Sequence, residues 1–351
     1  MTVLGIIWFV LIFVLIAGYF ILDGFDLGAG VLYPFVAKNE EDKAIVRQSI
    51  GPVWDGNEVW LLTAGGALFA AFPAAYATTF SGFYLAIMLV LMGLIVRAIA
   101  LEFAGHDRAW RKLWNVLFFV GSLLPALLFG VAVGNVYAGI PMDANGDYAG
   151  MPLLGLVTPF TLLTGLLGLG MFLSQGATWL ALKAPKPSAL QQRAAKLRFP
   201  LQVATLVLFA AVSVYGHFVI QPAMAPELEF VRYAFAVLFL VVLIASMVMG
   251  RKGECDLKPF LLSSAACAML VGLWASSMFP NLVVAGAGDP FTLFATAAQG
   301  ASITIATAAS SDLALGWMLG ITCVGLPLVL IYHVISYRTF RGRVKVEDLE
   351  Y

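Results

Sequence analysis

The sequence predicts an all-α integral membrane protein with about nine transmembrane helices. Three observations predict it. Of the 351 residues, 61% are apolar and only 11% charged, far below the roughly one quarter charged of a soluble domain. Long apolar runs recur between clusters of charge and turn residues, each fit to supply the roughly 20 residues that cross about 30 Å of hydrocarbon. Lys and Arg, finally, collect in alternate connections between these runs.

The expected spans are 3–36, 52–72, 77–102, 113–137, 152–182, 200–221, 229–250, 257–279 and 312–338. The first has no basic n-region and no small-residue cleavage site, so it reads as a retained span. Between the sixth and seventh lies a short polar break at 221–229 that holds Pro222 and Pro226, which suits a helical hairpin. Nine helices with short connections suggest two four-helix bundles, 1–137 and 152–279, with a peripheral last helix at 312–338 and a tail at 339–351. The connection 280–311 is uncharged apart from Asp289 and rich in Ala, Thr, Ser and Gly. It is expected to pack over the ends of the helices.

Orientation follows from the basic residues. One side collects Lys38, Lys43, Arg47, Arg108, Arg111, Lys112, Lys183, Lys186, Arg193, Lys196, Arg198, Arg251, Lys252, Lys258, Arg338, Arg341, Arg343 and Lys345, while Arg232 alone falls on the other and Arg97 lies inside the third span. The positive-inside rule then puts the N-terminus outside and the C-terminus in the cytoplasm. Asp143, Asp147 and Asp289 lie in the outer connections. Zero formal net charge argues against a nucleic-acid partner. Cys255, Cys267 and Cys323 have no metal or disulfide spacing and read as packing residues. The sequence contains no phosphate-binding loop, dinucleotide fingerprint or nucleophile elbow.

Chemistry concentrates in a few charged residues inside the spans. Asp23 and Asp26 sit at i and i+3, on one helix face, and each costs about 2.5–3.5 kcal/mol on insertion scales unless it faces a protein interior or a hydrated path. Gly24 and Gly28 form a small-xxx-small step that admits a neighbouring helix. Pro52 suits the first position of the second span, and Asp55 and Glu58 follow in its opening turns, where the helix dipole favours negative charge. Trp54 and Trp60 fit an interface belt. Arg97, five residues from the end of its span, shares the cytoplasmic-half depth of all four acids and is their natural counter-ion. Carboxylates in series are what a proton route needs, because each can take up and release a proton. The same residues also suit acids that merely cap or bridge helices.

Histidine is scarce. His106 falls in a cytoplasmic connection, His217 near the outer end of the sixth span and His333 in the ninth, so no two share a depth and the expectation is that this chain holds no haem. Copper and zinc lack ligand clusters as well.

Several segments together resemble subunit II of the cytochrome bd-type quinol oxidases, from one end of the chain to the other. They are D-G-F-D-x-G at 23–28, P-x-W-D-G-N-x-V-W-L at 52–61, T-A-G-G-A-L-F-A-A at 63–71, F-S-G-F-Y at 80–84, G-N at 134–135, S-Q-G-A-T at 174–178, M-F-P at 278–280, S-S at 310–311 and F-R-G-R-V-K-V-E-D at 340–348. The first three are the specific ones, since glycine-flanked acids inside a membrane helix are rare. This chain has a shorter break at 221–229 than some members and an acid, Glu58, where some carry a neutral amide.

The resemblance implies a heterodimer in the bacterial inner membrane with a larger subunit I that holds two b haems and one d haem, oxidises quinol near the outer face and reduces dioxygen to water with cytoplasmic protons. A small single-helix accessory subunit is a further partner it allows. The present chain would hold no cofactor of its own. It would support subunit I, bind a lipid or quinone tail, and contribute a proton pathway through Asp23, Asp26, Asp55, Glu58 and Arg97, with Asp55 at its entrance. Two other classes fit the same residues: a proton-coupled secondary transporter, and a structural partner whose acids only pair with Arg97.

Overall fold

The computed structural model describes residues 1–345 and 347, except 108, 222–224, 254, 295, 297 and 298. Arg108 of the basic tally, Pro222 of the break, Asp348 of the closing motif and most of the tail beyond 345 lie outside the described residues.

The chain is built from helices: α1 Val3–Val36, α2 Glu40–Ile50, α3 Trp54–Ala71, α4 Pro73–Gly82, α5 Tyr84–His106, α6 Arg111–Ala138, α7 Pro159–Lys183, α8 Ala189–Tyr215, α9 Glu229–Lys252, α10 Leu257–Met278, α11 Ile305–Ala308 and α12 Asp312–Thr339. Among the described residues, eight helices are long and apolar enough to cross a membrane, with α8 and α9 counted together with their flanking turns. The second expected span, 52–72, corresponds to α3, which is shorter and opens on charged residues, and so is not among the eight. It nonetheless runs back along α1, with Asn57 beside Asp26 and Trp60 over Gly18.

Helix starts follow their caps. Thr2 accepts from the Gly5 amide at 3.1 Å, Thr158 and Thr161 form a reciprocal capping box before α7 with Pro159 at its first position, and Ser311 caps α12. Three expected boundaries are corrected. The fifth span starts at 159, not 152, because 152–158 forms a tight turn around Leu154–Leu156. The sixth starts at 189, not 200, since the polar segment 189–199 is also helical. Residues 77–82 belong to α4, which Phe83 separates from α5. A further helix, α2, lies where the sequence suggested only a connection, and it buries Ala44, Ile45, Val46 and Ile50 against the ends of α1 and α7.

At the centre stands α1, which packs on α3, α6, α7 and α10. Glycines make the approach possible. A methyl group on Gly28 would come within 1.9 Å of the Phe172 carbonyl oxygen, and one on Gly176 within 2.4 Å of the Gly28 carbonyl carbon, so α1 and α7 cross backbone against backbone. The small-residue step expected at Gly24 and Gly28 is thus the α7 contact. By contrast, α12 touches chiefly α1 and α3 and buries only Leu315 and His333.

The connection 280–311 covers the end of the bundle where α1 begins. Its strand β1 (Asn281–Val283) pairs antiparallel with β2 (Ile303–Thr304), and Ile305 packs with Trp8, Phe9, Ile12 and Phe72. Asp289 is buried, accepting from the Phe160 amide at 2.8 Å in the first turn of α7 and from the Tyr215 hydroxyl. Of the three cysteines, only Cys267 is buried. Cys255 and Cys323 are exposed, so the expectation that all three are packing residues is corrected.

Candidate functional site: a charge cluster between α1, α3, α5 and α12

The inward face of α1 carries two carboxylates one turn apart, and the structure gives each a different partner. Asp23 is met by Arg97 of α5, whose Nη2 donates to Asp23 Oδ1 at 2.7 Å and also to Glu58 Oε1 on α3. Asp23 and Arg97 are buried, whereas Glu58 keeps a quarter of its side chain exposed. A guanidinium shared by two carboxylates is the arrangement that makes burial of an arginine tolerable. The helices bring it about: Asp23 and Glu58 come from antiparallel α1 and α3, and Gly93 and Gly121 let α5 lie close on α6 with Arg97 turned inward.

Asp26 points instead to Asn57. The Asn57 amide nitrogen donates to Asp26 Oδ2 at 2.7 Å and to the Leu22 carbonyl at 3.2 Å, while its oxygen accepts from the Tyr337 hydroxyl at 2.9 Å. One turn earlier on α12, His333 accepts from the Trp60 indole at 3.1 Å through Nε2 and uses Nδ1 on the Val329 carbonyl at 2.9 Å.

Among the described residues, several buried polar atoms here have no hydrogen-bond partner: Asp26 Oδ1 and Arg97 Nη1, together with Ser174 Oγ and both amide atoms of Gln175 on α7. Each would cost about 1–3 kcal/mol if left dry, which marks the region as one served by water or by a neighbouring chain.

Of the five residues expected to form the site, Asp23, Glu58 and Arg97 meet directly and Asp26 joins them as the adjacent carboxylate on α1. Asp55 does not. It lies exposed in the first turn of α3 and shares none of these contacts. Arg97 therefore pairs with two of the four acids. Trp60 is buried and bonded to His333, not an interface-belt residue as expected. Sequence reasoning misses Asn57, Tyr337 and Gln175 as neighbours of the cluster and considers His333 only as an axial-ligand candidate. The only sign of Asn57 was its place between Asp55 and Glu58, and Tyr337 reads as an ordinary aromatic at a helix end.

The three histidines fall on three separate elements. His106 closes α5, a correction to its expected place in a connection, and His217 lies in the turn beyond α8. Both ring nitrogens of His333 are engaged. Among the described residues no group of three or more His, Cys, Asp or Glu is placed to hold a metal ion.

Fold and site together define a multi-pass helical membrane protein with a charged cluster buried between its helices. The chain belongs to the family of cytochrome bd terminal oxidase subunit II, whose family model matches residues 4–340. It is 36% identical to the cytochrome bd-I ubiquinol oxidase subunit 2 of Escherichia coli K12, over 99% of this chain and 97% of that one. It is 33% identical to the cytochrome bd ubiquinol oxidase subunit 2 of Bacillus subtilis 168, over 97% of each. Its fold also matches a chain in the structure of bd oxidase from Geobacillus thermodenitrificans, with a TM-score of 0.71 and 17% identity, over 97% of this chain and 99% of that one.

Proposed function

We propose that this chain is the haem-free subunit of a bd-type quinol:oxygen oxidoreductase of the bacterial inner membrane, and that its carboxylates help carry cytoplasmic protons to a dioxygen-reducing haem in subunit I. The first half rests on the family and on relatives named as ubiquinol oxidase subunits. The observation that carries the second is the cluster itself. Asp23 and Asp26 are fully buried, Glu58 opens partly to the surface of α3, and Asp55 lies exposed one turn away on the same helix. Acids graded from exposed to buried along one flank suit proton entry from a surface that a partner would cover.

The basic ends of the helices are, on this reading, the cytoplasmic side, with the N-terminus outside. Residues 1–137 and 152–279 form the two four-helix units, with α12 peripheral. Between α1, α3 and α12 runs an apolar groove of about 480 Å³, lined by Trp8, Leu15, Trp60, Met318 and Val329 among others, and a lipid or quinone tail suits it.

The test is Asp55→Asn in the assembled oxidase, which keeps size and hydrogen bonding and removes the titrating proton. Quinol-driven oxygen consumption falls while haem content stays normal. Full turnover across pH at normal haem content overturns the proton role, and loss of haem makes Asp55 structural.

A further inference from the structure

The closing segment F-R-G-R-V, which the proton reading does not use, is tied down on the basic side of the bundle. Arg343 donates to Asp256 Oδ2 at 2.8 Å and to the Ala181 carbonyl at 3.0 Å, and also to that of Ala184. Asp256, nearly fully buried, receives Arg198 at 3.0 Å on its other oxygen. Lys183 donates to the carbonyls of Gly342, at 2.9 Å, and Phe340, while the Val344 amide donates back to Lys183 at 2.8 Å. These contacts fasten the end of α12 to α7, α8 and α10, helices with which α12 otherwise has little contact.

Three residues before Phe340 stands Tyr337, whose hydroxyl reaches Asn57 and whose ring lies edge-on to Trp179 of α7, with centroids 6.3 Å apart. Asn57 has little freedom left. The Leu22 carbonyl can only accept, so the amide nitrogen must face it and Asp26, and the amide oxygen must face Tyr337. An unbroken series of contacts therefore runs from the tail to Asp26.

We propose that Tyr337 and Asn57 are positioning residues for Asp26, and that the latch of Asp256, Arg343 and Lys183 holds Tyr337 in register for that task. The inference rests on the proton reading given above. Around Asp26 the charged and titratable groups are Asp23 and Tyr19 on α1, Glu58 on α3, Arg97 on α5, and Tyr337 and His333 on α12, with uncharged Ser174 and Gln175 on the α7 side. Of these, the Tyr337–Asn57 pair is what fixes the donor on Asp26 Oδ2. Removing the Tyr337 hydroxyl leaves the Asn57 oxygen buried without a donor and frees the amide to move off the carboxylate.

The experiment uses the assembled oxidase with Tyr337→Phe, Arg343→Gln, the double variant and Asp26→Asn, scored by haem content, quinol KM, kcat and the pH profile of oxygen consumption. Expected for each single latch variant is a several-fold lower kcat at unchanged KM and normal haem content. The pH profile is displaced by roughly one to two units, the equivalent of one hydrogen bond to a charged group. The double variant is no worse than the stronger single one, because both act through one series of contacts. A wild-type profile in Tyr337→Phe, with Asp26→Asn altered, overturns the positioning role alone. A wild-type profile in Asp26→Asn removes the proton reading and the inference with it. Should Tyr337→Phe fail to assemble, Arg343→Gln, which keeps the hydroxyl, decides in the same way: an unchanged profile overturns the latch.

Discussion

Arg97 and Asp23 face each other across the α1–α5 interface at 2.7 Å, and neither side chain reaches solvent. Breaking a buried pair costs far more than the pair contributes, because the remaining charge is stranded. Arg97→Met should therefore destabilise the chain by about 3–5 kcal/mol, read as loss of assembled, haem-bearing complex from membranes. Adding Asp23→Asn and Glu58→Gln to Arg97→Met should recover part of the assembly, since the two acids that Arg97 bridged are then neutral. A triple variant no better than the single would sink the account.

The α1–α7 crossing gives a packing prediction. A Cβ on Gly28 would overlap the Phe172 backbone carbonyl, which cannot turn aside as a side chain can. Gly28→Ala should cost at least the roughly 1–3 kcal/mol typical of overpacking and lower the thermal midpoint of the detergent-solubilised protein. Gly66→Ala, with nothing within 4 Å of its added carbon, is the matched control and should leave that midpoint in place.

Cys255 offers a chemical reading of orientation. It is exposed just before α10, and the Lys258 and Leu257 amides hold its thiol below the ordinary range by bonding to the thiolate. A membrane-impermeant maleimide should label it in inside-out vesicles, at a pH where an ordinary thiol is slow, and not in intact cells. Labelling in intact cells would reverse the proposed topology. Cys267 is buried inside α10 and should not be labelled before the protein unfolds.

Glu40, in the first turn of α2, is held below the usual glutamate range chiefly by its hydrogen bond from Lys43, with Arg111 adding a weaker pull. A lowered folded-state value means the contribution is present above the ordinary glutamate range and lost as pH falls through the lowered one. Nearly half of the Glu40 side chain is exposed, so the pair is worth well under about 1 kcal/mol. Glu40→Gln should leave the unfolding midpoint at neutral pH almost unchanged. A large loss would mean that α2 depends on this pair and not on its buried apolar face.

Much of the architecture was legible because hydropathy reports directly on the solvent a helix prefers. It reports the apolar extent of a helix, however, and not its hydrogen-bonded length, which is why α8 starts at Ala189 and why the short amphipathic α2 was passed over. The pairing of Arg97 with membrane-embedded acids could be anticipated, since one buried base must find counter-charges. Its choice of Asp23 and Glu58 over Asp26 and Asp55 depends on helix rotation. Tyr337 and Asn57 lie 280 residues apart in sequence, and no local pattern could join them.

The close crossing at Gly28 and Gly176 bears on leakage. A membrane protein that stores carboxylates among its helices risks becoming a short circuit for the gradient it helps to build. Where two backbones touch there is no gap for a file of water molecules, so α7 acts as insulation along that stretch of α1. On the proton reading proposed above, conduction is then confined to the α3 flank, where Glu58 and Asp55 approach the surface. On this view the glycines of the crossing matter electrically as well as sterically, and a Gly28 variant that still assembled would be expected to hold a membrane potential less well.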